Sequence, residues 1–183
     1  MILIISGKTA SGKTAVVNEL VKMGYEQIVT YTTRPPRKGE KDGITYNYIS
    51  EDEFLKKVAE GFFAEYKSYD TVDGTWYYGS AIEDYTGDKV VILTPSGHDV
   101  IKQMMSNKAF GIYLFANNKT LVNRLVNRKD KKAEAERRLK SDELDFKGFE
   151  NRVDKIVYNN SGSDICSVAL KIDALVKEKY GRS

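Results

Sequence analysis

An eight-residue segment near the N-terminus has the residue types and spacing of a phosphate-binding loop. It matches G-x-x-x-x-G-K-[ST] at every required position and consists of Gly7, Lys8, Thr9, Ala10, Ser11, Gly12, Lys13 and Thr14. Glycines let backbone N–H groups curl around phosphate oxygens, and Lys13 is placed to reach the β- and γ-phosphates. The Thr14 hydroxyl is a hard oxygen ligand of the kind that Mg²⁺ accepts. The segment therefore predicts a nucleotide-binding site but does not indicate which reaction takes place there.

A second candidate phosphate site lies in residues 30–40, TYTTRPPRKGE, where two of the three prolines of the chain stand between Arg34 and Arg37. Proline fixes its own backbone and extends the residue before it. A polyproline-like stretch repeats every three residues, so both guanidinium groups would project from one face and suit a phosphate dianion. Taken alone, the segment is equally compatible with a stiff surface turn carrying solvated arginines. Two phosphate sites together predict a phosphoryl transferase.

Apolar runs that alternate with helical patterns place both segments in an α/β fold. The core strands are predicted at Ile2–Ser6, Lys89–Leu93, Phe110–Phe115 and Lys155–Tyr158, and helices at Thr14–Met23, 118–152 and Ser163–Tyr180. A capping box at Ser50–Glu53 opens another helix, and residues 62–78 form a hairpin. The pattern predicts a parallel sheet flanked by helices, as in P-loop NTPases, with a small mixed or antiparallel insertion and a helical lid.

Composition narrows the class of protein. The chain has 183 residues, 41% of them hydrophobic, which is enough for a single domain with its own core. A net charge of +3 is too mild to indicate nucleic acid or a membrane surface as a partner. One cysteine and a short apolar start without a signal-peptide pattern favour the cytoplasm. We expect small-molecule nucleotides as partners and a monomer or small homo-oligomer.

The chain resembles guanylate kinase from Met1 to about Tyr180. The resemblance depends on the phosphate loop, on a fifteen-residue motif from Thr32 to Tyr46, on FAEY at residues 63–66 and on YYGS at residues 77–80. It implies that MgATP and GMP give ADP and GDP. It also implies one domain with a core at about 1–29, 88–117 and 153–183, a GMP-binding insertion at about 30–87 and a lid at about 118–152.

The resemblance also implies roles for individual residues in the GMP site. The GMP phosphate would be held by Arg34, Arg37, Tyr46 and Tyr78, with Glu40 orienting the arginines. Glu65 would accept guanine N1–H and the 2-amino group, two adjacent donors that suit a carboxylate. Adenine offers a lone pair at N1, a mismatch worth ~10⁴ in discrimination. The set is completed by Thr30 and Ser80, whose hydroxyls face O6, and by Gly79 and Thr94.

The lid and the far strand supply the remaining candidates. The resemblance aligns three residues with family arginines that close on the ATP phosphates, namely Arg124, Arg128 and Arg138. Arg137 is an alternative to Arg138 for the last of these positions. Asn159 aligns with a family position near the adenine. Each arginine is equally compatible with a helix face of paired charges. The resemblance implies a catalytic set of Lys13, Arg34, Arg128 and Arg138, with Mg²⁺ as cofactor. No general base is required because the GMP phosphate, with a second pKa of about 6, is already ionised.

One departure from the family pattern lies after the strand at Lys89–Leu93. The family continues with Asp-x-Asp, whereas this chain has Thr94 and Ser96. Two alternatives therefore stay open, namely a kinase of broader or deoxynucleotide preference and a protein-binding module that has lost catalysis. The intact Gly12, Lys13 and Thr14 favour the enzyme.

Overall fold

The computed structural model describes residues 1–37, 39–71, 73–127 and 132–181, which form two β-sheets and the helices that cover them. The strands are β1 (Ile2–Ser6), β2 (Glu26–Gln27), β3 (Tyr31–Thr32), β4 (Asn47–Tyr48), β5 (Phe63–Thr71), β6 (Gly74–Ala81), β7 (Lys89–Ile92), β8 (Ala109–Phe115) and β9 (Lys155–Tyr158). The helices are α1 (Lys13–Lys22), α2 (Glu51–Ala59), α3 (Pro95–Met105), α4 (Asn118–Asn127), α5 (Lys132–Asp145) and α6 (Ile165–Tyr180).

The first sheet is parallel throughout, with the strand order β2-β7-β1-β8-β9. Every residue of β1 is buried, because successive side chains point to opposite faces and both faces are covered. Leu3 and Ile5 belong to the apolar cluster that includes residues of α1 and α6, while Ile2 and Ile4 pack with Ile101 of α3. The predicted α/β architecture is confirmed.

The second sheet contains β4, β3, β6 and β5 in that order and is mixed, since β3 and β4 run parallel while the other pairs are antiparallel. The pairing of β5 with β6 confirms the predicted hairpin. Helix α2 covers this sheet, with the ring of Phe54 stacked on Phe63 at 4.4 Å between centroids. Ser50 caps α2 by accepting the Glu53 N–H at 3.2 Å, as the capping box predicts.

Helices α4 and α5 lie beside the N-terminal phosphate loop. Leu121 and Leu125 of α4 pack with Ala10 of the loop, and Leu139 of α5 joins this cluster. At the end of α5, the ring of Phe146 stacks on Tyr113 of β8 at 5.3 Å. The division of the chain into core, insertion and lid at the stated boundaries stays a prediction. Among the described residues, no helix is long and apolar enough to cross a membrane.

Candidate functional site

One cavity of about 280 Å³ is lined by the ends of β1 and β7, the second sheet and α5. The predicted site residues that line it are Gly7, Thr9, Ala10, Lys13, Thr14, Thr30, Arg34, Arg37, Tyr46, Glu65, Tyr78, Gly79, Thr94 and Arg138. Arg137 lines it as well, so both candidates for the lid arginine face the same space. The structure thus brings the phosphate loop, Arg34, Arg37 and the Glu65 carboxylate together.

The remaining candidates do not line the cavity. They are Lys8, Ser11, Gly12, Glu40, Ser80, Arg124 and Asn159 among the described residues, and Arg128 lies outside the described residues. Among them, Glu40 is hydrogen-bonded to Arg34 and Ser80 to Glu65, and both of these partners do line the cavity.

The phosphate loop is supported from behind by two side chains. The Asn159 side-chain amide donates to the Ser11 carbonyl at 2.8 Å, and Arg124 donates to the same carbonyl at 3.1 Å. Gly12 has a left-handed backbone, with φ of 98°, and a Cβ there would lie 2.4 Å from the Asn159 amide nitrogen. Only glycine satisfies both conditions at this position. Arg124 and Asn159 therefore position the loop.

Two groups of the loop that could bind phosphate, Lys13 Nζ and the Thr9 N–H, are hydrogen-bonded to other groups of the protein. Lys13 Nζ donates to the carbonyl oxygens of Gly7 at 2.6 Å and Lys8 at 3.1 Å. The backbone N–H of Thr9 donates to the Asp142 carboxylate of α5 at 2.6 Å. Burial raises the pKa of Asp142, although the Thr9 hydrogen bond and the nearby Lys13 act to lower it. A carboxylate thus takes an N–H of the kind that binds phosphate.

Arg34 is buried and already oriented. Its Nη2 donates to both carboxylate oxygens of Glu40, at 2.9 and 2.8 Å, and its Nη1 donates to the Pro35 carbonyl at 2.7 Å. The guanidinium lies 5.5 Å from the ring centroid of Tyr46 and 5.9 Å from that of Tyr48. These contacts leave the side chain little rotational freedom.

Glu40 is the acceptor around which the arginine segment is arranged. In addition to Arg34, it accepts the backbone N–H of Arg37 at 2.7 Å and the Tyr48 hydroxyl at 2.8 Å. Burial acts to raise the pKa of Glu40, but these hydrogen bonds outweigh it and the pKa lies below its usual value. Glu40 therefore binds the guanidinium group of Arg34 but only the backbone N–H of Arg37. The side chain of Arg37 is exposed.

The Glu65 carboxylate lies between β6 and the start of α3. Its Oε1 accepts the Ser80 hydroxyl at 2.7 Å. A Cβ on Gly97 would lie 2.6 Å from its Oε2, so the lack of a side chain at Gly97 makes room for the carboxylate. Burial raises the pKa of Glu65, and the Ser80 hydrogen bond partly opposes this. Beside it, the Thr94 hydroxyl caps α3 by accepting the Gly97 N–H at 3.2 Å.

Helix α5 also contacts the second sheet. Asp145 accepts Lys67 Nζ on β5 at 2.8 Å with each carboxylate oxygen, and the Tyr69 hydroxyl approaches the same carboxylate at 3.4 Å. Through Asp142 and Asp145, α5 bridges the phosphate loop and the sheet that carries Glu65. Sequence reasoning missed these contacts, as well as the hydrogen bond from Tyr48 to Glu40, because no motif includes them. Only the position of Tyr48 on β4, two residues after Tyr46, offered a signal.

Comparison with known proteins identifies the family. The profile described as guanylate kinase matches residues 1–174. The chain belongs to the guanylate kinase family. A guanylate kinase of Legionella pneumophila is 30% identical over 183 residues, covering 94% of this chain and 83% of that protein.

Other guanylate kinases match over shorter stretches or by structure. That of Neisseria gonorrhoeae is 38% identical over 105 residues, 56% of this chain, and the match spans about half of that relative, 47%. The crystal structure of guanylate kinase from Anaplasma phagocytophilum superposes with a TM-score of 0.71 at 22% identity, covering 100% of this chain and 87% of that one. At this identity the structural likeness supports the guanylate kinase fold.

The site suits a magnesium ion that arrives with a nucleotide. Within the described part of the chain, no group of three or more His, Cys, Asp or Glu side chains could hold a metal ion by itself. Thr14, in the first turn of α1, is exposed and lines the cavity next to Lys13. Mg²⁺ commonly takes one or two protein ligands and completes its shell with phosphate oxygens and water. The Thr14 hydroxyl fits that role.

Proposed function

We propose that this chain transfers the γ-phosphoryl group of ATP to GMP and releases ADP and GDP. One observation carries the proposal, namely that the phosphate loop, Arg34 and Glu65 line a single cavity. The loop supplies a donor site, Arg34 an acceptor phosphate site, and Glu65 a base site. Membership of the guanylate kinase family supports the same reaction. The proposal includes dGMP as a second acceptor.

Catalysis in this proposal consists of positioning and charge stabilisation. Lys13 exchanges its bonds to the Gly7 and Lys8 carbonyls for phosphate oxygens, while Arg34 and Arg37 hold the phosphate of GMP in line with the γ-phosphoryl group. An oxygen of the GMP phosphate is the nucleophile. The second pKa of the GMP phosphate is about 6, so this group is ionised at neutral pH and its attack needs no general base. Arg138 or Arg137 neutralises charge that develops between the two nucleotides.

Magnesium is part of the proposal as the cofactor that arrives with ATP, with Thr14 as its protein ligand. When bound, it neutralises negative charge on the β- and γ-phosphates. We also propose that the reaction takes place in the cytoplasm. The single cysteine, Cys166, is exposed, which suits a reducing compartment. Neither a nucleic acid nor a membrane is required, and a monomer or small homo-oligomer stays a prediction.

Base selection in this proposal comes from Glu65. Its carboxylate accepts two adjacent donors of guanine, whereas adenine would leave a buried acceptor unpaired. Glu65→Gln replaces one acceptor oxygen by a donor and should remove most GMP turnover while AMP remains a poor substrate. Glu83→Gln is the matched control, because Glu83 is an exposed residue after β6 and does not line the cavity.

A coupled assay of ADP release tests the proposal with GMP, dGMP, IMP and AMP as acceptors. We expect GMP to exceed AMP by ~10⁴ in kcat/KM for the parent protein. Equal turnover of AMP and GMP would show that the base assignment is wrong. Binding of ATP and GMP without turnover of any acceptor would instead identify a binding module.

A further inference from the structure

Tyr85 lies outside every motif of the sequence, yet it reaches the base-reading carboxylate through one intermediate. It follows a 3₁₀ turn at Ile82–Asp84, and its ring is buried in the apolar cluster that contains Ile4 and Val91. Its hydroxyl lies 2.7 Å from Ser80 Oγ. Ser80 is fully buried and lies 2.7 Å from Glu65 Oε1. Three polar groups thus form a chain that ends at the cavity.

The number of hydrogens fixes the direction of this chain. The Ser80 hydroxyl has one hydrogen, and an ionised carboxylate can only accept. Ser80 therefore donates to Glu65, and the Tyr85 hydroxyl donates to Ser80. In this arrangement the hydrogen of Ser80 is engaged and is not available to a ligand.

We propose that Tyr85 is a positioning residue for base selection, acting through Ser80 to hold the Glu65 carboxylate toward guanine. This inference rests on the proposed function, which assigns Glu65 to guanine N1–H and the 2-amino group. It assigns to Ser80 a different role from the one implied by family resemblance, because a hydroxyl that donates to Glu65 cannot also donate to guanine O6. Thr30, which lines the same cavity, remains to contact O6 through its hydroxyl.

Calorimetric titration with GMP and IMP tests the inference without requiring turnover. IMP lacks the 2-amino group, so the ratio of the two Kd values reports how well Glu65 is placed for that group. We expect Tyr85→Phe to weaken GMP binding about fivefold and IMP binding less, so that the preference for GMP falls. A purely structural defect would weaken both ligands equally. The Ser80→Ala variant should remove the same preference.

A double-mutant cycle then asks whether Tyr85 acts through Ser80. On the Ser80→Ala background, Tyr85→Phe should change the GMP Kd by less than about twofold. Tyr25→Phe is the matched control, because Tyr25 is also buried and its hydroxyl donates to Asp173 at 3.0 Å, among residues of α1 and α6. We expect this control to lower the melting temperature without changing the preference for GMP.

The outcomes separate this inference from the proposed function. If Tyr85→Phe keeps the parent ratio of GMP to IMP affinity, or weakens GMP equally with and without Ser80, the inference is overturned. If the parent protein binds GMP but does not phosphorylate it, the proposed reaction fails while the binding data still decide the role of Tyr85. A parent protein that binds no GMP overturns both.

Discussion

The Asp142 carboxylate of α5 accepts the backbone N–H of Thr9 in the phosphate loop at 2.6 Å, across 133 residues of sequence. The contact gives the loop a negatively charged partner from the predicted lid. A nucleotide phosphate that binds this N–H must displace the carboxylate, because both are anions that need the same donor. We therefore expect Asp142 to compete with the phosphates of ATP.

Asp142→Asn should tighten ATP binding. Asparagine keeps an oxygen that can accept the Thr9 N–H but carries no charge to repel phosphate. A hydrogen bond to a charged group contributes about 1.5 kcal/mol or more, so we expect the KM for ATP to fall by about tenfold. Initial rates at saturating GMP and varied ATP provide the measurement.

Asp145→Asn is the matched control for this change, since Asp145 lies on the same helix but pairs with Lys67 of the second sheet. We expect the control to leave the KM for ATP within about twofold of the parent value. A rise in the KM for ATP in Asp142→Asn would contradict competition and would indicate that the carboxylate assists nucleotide binding.

Glu40→Gln should impair the acceptor side alone. The change removes the negative charge that holds Arg34 in place. The side-chain oxygen of glutamine can still accept the Arg37 N–H and the Tyr48 hydroxyl. We expect kcat/KM for GMP to fall at least about tenfold, with the KM for ATP unchanged. Glu60→Gln serves as control, because Glu60 pairs with Lys56 on the exposed surface at 3.9 Å. Unchanged GMP kinetics in Glu40→Gln would refute its orienting role.

Thr94→Asp tests the departure from the family's Asp-x-Asp. Aspartate caps a helix as well as threonine, so the cap that Thr94 provides to α3 should survive. The added carboxylate lies at the cavity, and we expect half-maximal rate at a lower Mg²⁺ concentration without loss of activity. Initial rates over a Mg²⁺ series measure this, with Thr94→Asn as the uncharged control. A melting temperature like that of the parent combined with no activity would count against the prediction.

His98 should make stability depend on pH. It is 1% exposed, and its Nε2 has no hydrogen-bond partner among the described residues. Burial lowers the pKa of His98, although Asp99 opposes this, so folding favours the neutral ring over the protonated one. The unfolded value is about 6.5. The contribution of neutral His98 to the free energy of unfolding is therefore fully present above that pH. It is lost as the pH falls through the lower pKa of the folded protein.

Melting temperatures between pH 7.5 and pH 5 measure the effect of His98, and His98→Gln should flatten the slope below about pH 6.5. His98 is the only histidine in the chain, so its imidazole signals in an NMR titration need no assignment by mutation. A titration midpoint above the ordinary value would reverse the predicted sign.

Much of the fold was predictable because its signals are local. The buried run Ile2–Ser6 and the strand Lys155–Tyr158 are recognisable from short apolar stretches, and both occur as predicted. The Ser50 cap acts within three residues of itself, so its sequence pattern is sufficient. The strands β2, β3 and β4 were missed, since two residues show no periodicity and these strands exist only through the partners that pair with them.

The sequence by itself determined the parallel α/β architecture, the phosphate loop and the family, because each depends on residue types at fixed short spacings. Only the tertiary structure decided that Asp142 meets Thr9, that Glu40 holds Arg34 between two tyrosine rings, and that Tyr85 reaches Glu65 through Ser80. These contacts depend on directional hydrogen bonds at distances near 3 Å between separate elements. Such distances are set by how helices and sheets pack, and no local spacing encodes them.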